Sequence, residues 1–152
     1  MAPYETALSQ PYGTVVSSGW HRNHIVIPAI VAMTTAMIDN ANDDCGLFYV
    51  PKGFVVTGCV LSVTDMDSST GLVLDVGISG TENLFIDGAT TGQTGGITAT
   101  MATTGFLYKF ADRTQVRVYT KTAAATPVAG TLKFMLLGFV DEEFSTTALT
   151  AA

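Results

Sequence analysis

The sequence predicts an all-β fold: an antiparallel β-sandwich or jelly roll of about eight strands, approached through an extended N-terminal arm. Three observations carry this. Several stretches alternate apolar and polar residues at period two, the clearest being Gly71 to Ile78 and Thr114 to Thr122. Turn-forming clusters rich in Gly, Thr and Asp recur about every ten residues. No long stretch keeps the 3.6-residue period of a helix.

A length of 152 residues suits one domain with one core. The boundaries read as an arm over residues 1–22, a sandwich over 23–143 and a tail over 144–152. Hydrophobic residues make up 47% and charged residues 13%, the latter about half the usual share. Hydroxyls and methyls from Thr, Ser and Ala replace the missing charges. A surface of that kind carries little ionic hydration and little rotamer entropy, so it is easily covered by another protein.

The net charge of -6 and the scattering of seven Lys and Arg argue against nucleic acid, which calls for a concentrated positive field. No apolar run approaches the roughly 18 residues of a spanning helix, which argues against the membrane. The opening MAPYETALSQPYG lacks a basic start and an apolar middle, so the cytoplasm of the producing cell is the default compartment. Cys45 and Cys59 are expected as reduced, buried thiols, although their spacing allows a disulfide.

Taken in order, residues 1–22 are punctuated by Pro3, Pro11, Gly13 and Gly19, and their apolar members, including Tyr4, Tyr12 and Trp20, follow no period. Such an arm packs either on its own domain or on a neighbouring subunit. Residues 24–32, HIVIPAIVA, form a β-branched strand around Pro28, with a continuation past Thr35 open. NANDDCG is a loop, Leu47 to Val50 a short strand, and Pro51-Lys52-Gly53 the turn into Phe54 to Thr64. That strand is apolar on both faces, as at the centre of a sandwich or at a subunit contact, and Gly58 marks a bulge.

After the DMDSSTG loop comes the Gly71 to Ile78 strand, in which alternation points Asp75 outward. Ser79 to Thr81 turns the chain, and Thr81 is expected to cap a short helical turn containing Leu84, Phe85 and Ile86 and stopped by Gly88. The run from Gly88 to Gly105 is a loop in which Ile97, Ala99 and Met101 could form a weak strand facing inward. Phe106, Tyr108 and Phe110 alternate. Thr114 to Thr122 follows, with Val116 and Val118 on one face and Arg117, Tyr119 and Lys121 on the other. Thr131 to Val140 is the last strand, again apolar on both faces, and Asp141-Glu142-Glu143 leads into the tail.

Few residues suit chemistry. His21 and His24 have a ligand-pair spacing but no third partner. Asp65 and Asp67 open like a calcium loop, yet Thr70 stands where glycine is needed and Val76 where the bidentate glutamate belongs; a looser divalent site is the alternative to ordinary turn carboxylates. Ser79 lacks the second glycine of a nucleophile elbow, and no phosphate cradle follows Gly77. No catalytic residue, cofactor or metal is assigned, and no enzyme activity is expected.

The strand and loop DVGISGTENLFIDG, the Gly and Thr run after it, and the closing TLKFMLLGFVD resemble the head decoration, or cement, proteins of tailed bacteriophages. The resemblance spans residues 24–143 and implies a β-sandwich or jelly-roll subunit, commonly trimeric. It also implies a place on the outside of an icosahedral capsid, with the major capsid protein as partner and the host cytoplasm as the place of synthesis. It transfers no individual contact residue. From the sequence itself, Tyr4, Tyr12 and Trp20 are candidates for docking on the shell or an adjoining subunit, and Tyr108, Tyr119 and Phe139 for contacts within an oligomer. The rival expectations are a carbohydrate- or receptor-binding sandwich and a tail or head-tail adaptor component.

Overall fold

The computed structural model describes residues 25–141. The predicted arm and tail, with Tyr4, Tyr12, Trp20, His21 and His24, lie outside the described residues. Eight strands form two four-stranded antiparallel sheets. They are β1 (Ile25–Met33), β2 (Asp44–Val50), β3 (Phe54–Val63), β4 (Val73–Ile78), β5 (Thr81–Ala89), β6 (Gly96–Thr98), β7 (Thr114–Thr122) and β8 (Gly130–Val140). Sheet A has the order β1-β8-β3-β6 and sheet B the order β2-β7-β4-β5. The chain passes between them repeatedly, as a β-sandwich requires.

Alternation builds the core. In β8 Leu132, Phe134 and Leu136 are buried while Lys133 and Met135 are exposed; in β7 Val116, Val118 and Thr120 are buried. Phe134 of sheet A stacks on Phe48 of sheet B at 6.1 Å between ring centroids, which places a contact between the layers. Each such side chain contributes about 1.5–3 kcal/mol by leaving water. The bulge expected at Gly58 is present as a register shift between Val56 and Gly58. On the facing strand a Cβ at Gly138 would lie 2.0 Å from the carbonyl oxygen of Val55, so only glycine lets β8 pass there.

Several local expectations are corrected. Residues after Thr81 form no helical turn. They make strand β5, because Gly80 at φ +85° closes a two-residue hairpin in which Ile78 faces Thr81. Leu84, Phe85 and Ile86 are consecutive and all buried, a pattern that a strand covered on both faces satisfies and one helical stripe does not. Past β1 the chain makes one 3-10 turn at Thr35–Met37 in place of more strand.

The weak strand near Ile97 shrinks to Gly96–Thr98, and Ile97 faces outward. The alternation of Phe106, Tyr108 and Phe110 breaks at Leu107, whose φ of +59° turns the chain, leaving Phe106 exposed and Phe110 buried. That segment still closes the first half of β3, through Leu107 N–H to the Val56 carbonyl at 2.8 Å and Phe110 N–H to that of Phe54 at 2.9 Å.

Candidate functional site

The two outer faces of the sandwich differ in chemistry, and the contrast follows from strand register. On sheet A the antiparallel pairing sets Val26 beside Leu137, Pro28 beside Met135 and Ile30 beside Lys133. Across β8 the same rows continue, from Met135 to Val60 and from Lys133 to Ser62, and Ser62 pairs with Ile97 on β6. The result is an apolar face with one cation at its middle. Ile30 is 72% exposed, Ile97 71%, Val26 47% and Met135 38%. A shallow groove of about 220 Å3 runs over it, lined by Pro28, Ile30, Val60, Ile97, Lys133 and Met135 among others. Lys133 makes no ion pair among the described residues.

Sheet B turns a charged face outward. Arg117 pairs with Asp44 and donates to Gln115 Oε1 at 2.6 Å, and the Arg113 guanidinium lies 4.0 Å over the Tyr49 ring. Lys121 reaches Asp87 at 2.6 Å and Asp75 at 3.8 Å. Hydrogen bonding to Asp87 raises the Lys121 ammonium above its ordinary pKa, and the same bond lowers Asp87. Asp75 faces away from the core, as alternation predicts. It is nevertheless 6% exposed, because its Oδ1 accepts the Gly88 N–H at 2.6 Å and Lys121 lies over it. A cleft of about 200 Å3 beside it is lined by Asn42, Glu82, Tyr119 and Lys121.

The predicted contact residues within the described range are not brought together. Tyr108 is half-buried, edge-on to Phe110 at 5.1 Å and to Phe85 at 6.2 Å, and so serves packing. Tyr119 lies on the outer face of sheet B opposite Asp75, and burial raises its phenol pKa. Phe139 sits across from Val55 at the other end of sheet A, half-buried. The residues that sequence reasoning passed over are Val26, Pro28, Ile30, Val60, Ile97 and Met135. Their signal was in the chain: β1, β3 and β8 are apolar on both faces, and only one face of a two-layer sandwich is consumed by its core.

The calcium-like start at Asp65 and Asp67 has another use. Asp67 is buried, and its two carboxylate oxygens accept backbone N–H groups from Ser69, Gly71, Leu72, Ala125 and Thr126 at 2.8–3.1 Å. Those oxygens are turned to backbone amides. No cluster of three His, Cys, Asp or Glu placed to hold a metal occurs among the described residues. Cys45 and Cys59 are both free thiols. None of the described residues forms a helix long and apolar enough to cross a membrane.

No family model matches the chain, and no curated protein matches it. Solved structures do. A chain of the capsid asymmetric unit of cyanophage Pam1 superposes with a TM-score of 0.67 at 25% identity, over 78% of this chain and 86% of that one. A chain of the capsid of Ralstonia phage GP4 superposes with a TM-score of 0.65 at 25% identity, over 80% and 86%. The chain is similar to phage capsid proteins. That likeness supports a structural role in the virion and runs through nearly the whole sandwich, since each comparison covers more than three quarters of both chains.

Proposed function

We propose that this protein is a capsid decoration protein, which binds the outside of a phage shell and reinforces it, with the major capsid protein as its partner and no catalytic role. The observation that carries the reading is the likeness to chains of two phage capsids at 86% coverage of each, which makes those chains single-sandwich proteins of about this length. One sandwich of this length has the size of an accessory subunit. The surface agrees: few charges, and one bare apolar face that contact with other subunits would cover. Many weak identical contacts around a shell add up through avidity, so no single contact need be strong.

A trimer is the assembly the reading favours. The test is to locate the chain in purified virions by electron microscopy. Sandwich-sized density standing on a continuous shell supports decoration; finding the chain as the wall of the shell itself overturns decoration and leaves a shell-forming role. Removal of residues 1–20 is expected to abolish capsid binding while the sandwich still folds, read by co-sedimentation with capsids and by circular dichroism.

A further inference from the structure

The apolar face of sheet A has a definite size. With four strands about 4.8 Å apart and alternate residues about 6.8 Å apart, the rows from Val26 to Ile30 and from β1 to β6 span ~14 Å each way, or roughly 400 Å2 with side chains. A stable contact between two folded subunits takes about 800 Å2 from each. A second sandwich laid flat on this patch would therefore find about half the area it needs. One extended segment, ~10 Å wide and up to about nine residues long, fits along the diagonal of the patch.

The 24 residues that precede Ile25 hold such a segment. Residues 4–12, YETALSQPY, carry Tyr4, Leu8 and Tyr12, and Glu5 is the only carboxylate in all 24. The face they would meet has one cation, Lys133, with no ion pair among the described residues. One acid in the segment and one cation in the patch make the two complementary.

Strand direction says which copy is involved. β1 runs from Ile25 towards Met33, so the patch lies ahead of Ile25 and the preceding residues leave from the opposite end. Returning over the same face would require the chain to reverse its direction before entering β1. Residues 13–24 make a tether of up to about 40 Å, which brings the same face of a neighbouring copy within reach. We propose that residues 4–12 of one copy dock on the outer face of sheet A of a neighbouring copy, with Tyr4, Leu8 and Tyr12 covering its apolar rows and Glu5 paired with Lys133.

The test uses the full chain. A photo-crosslinking benzoylphenylalanine replaces Ile97, whose exposed side chain bears no packing load, and equal amounts of unlabelled and 15N-labelled protein are mixed, illuminated and digested. Crosslinks from position 97 to the peptide ending at Arg22, with mixed isotopes, are expected. Glu5→Lys should lower their yield by about fivefold or more, and adding Lys133→Glu should restore it. Ile30 serves as a second probe position should the first variant fold poorly. Crosslinks confined to one isotope would return the segment to its own sandwich, and crosslinks to another sandwich's strands would mean that two copies lie face to face. Either outcome, absence of crosslinks, or indifference to Glu5→Lys overturns the proposal. Capsid binding is not read, so failure here leaves the decoration reading standing.

Discussion

Asp67 accepts the backbone N–H of Ala125 at 3.1 Å, a hydrogen bond between residues 58 apart that ties the loop before β4 to the loop before β8. With the N–H groups of Ser69, Gly71, Leu72 and Thr126 on the same carboxylate, it is the clamp at this end of the sandwich. Burial by itself would raise the pKa of this carboxyl, but the N–H groups of Thr126, Leu72, Gly71 and Ser69 hold it far below the ordinary carboxylate range. A folded pKa below the unfolded one stabilises the protein at neutral pH, and that stability drains away as pH falls below about 4. Asp67→Asn places an amide donor against N–H donors, so it should lower the urea midpoint at pH 7 by on the order of 1 M. It should also flatten the loss of stability between pH 4 and pH 2 relative to the wild-type chain. An unchanged acid limb would assign that loss to other groups.

Two adjacent residues on β8 test the sandwich itself. Phe134 is fully buried against Phe48, whereas Met135 points to solvent in the isolated subunit. Phe134→Ala should cost about 3–5 kcal/mol in chemical denaturation, and Met135→Ala under about 1 kcal/mol. If the face of sheet A is covered in the assembled particle, Met135→Ala should instead weaken association, read by native mass spectrometry. Comparable unfolding costs for both residues would show that Met135 is already covered within one chain.

The strands were legible wherever burial is one-sided or the period is long. Thr114 to Thr122 fell where alternation put it, with Val116 and Val118 inward, and β3 and β8 were found within a residue or two. Leu84 to Ile86 misled because three buried residues in a row have no period, and a capping threonine before them imitates a helix start. Asp67 could not be read as a clamp, since its partners at Ala125 and Thr126 lie on a distant loop that only the sandwich brings near. The apolar face was half legible. Double-sided strands announced that something covers them, but which side belongs to the core is set by tertiary register, and single-residue aromatics such as Tyr119 and Phe139 drew attention to opposite faces of the molecule.

Cys59 sits inside β3 beneath Phe85, and burial pushes its thiol up to about 12. At neutral pH almost none of it is the reactive thiolate. An aromatic disulfide reagent should therefore leave Cys59 unmodified in the native protein, with any rapid reaction confined to half-buried Cys45, and should label both in denaturant. Modification of Cys59 at the rate of a free thiol would mean that the β3 and β5 layers open far more readily than their packing implies.

On sheet B the pair Asp75 and Lys121 separates a hydrogen bond from an ion pair. Asp75 Oδ1 accepts the N–H of Gly88, a residue at φ +73° that turns β5, and Lys121 approaches the other oxygen at 3.8 Å while holding Asp87 at 2.6 Å. Asp75→Ala leaves the Gly88 N–H without its acceptor and should cost about 1–2 kcal/mol at any salt concentration. Lys121→Met keeps the aliphatic stem and removes only charge that is open to solvent. Its effect should be smaller and should vanish near 1 M NaCl, where the screening length falls to about 3 Å. Denaturation of both variants at low and high salt separates the two contributions: a salt-dependent loss in Asp75→Ala would mean that this carboxylate acts through its charge on Lys121 more than through the turn it holds.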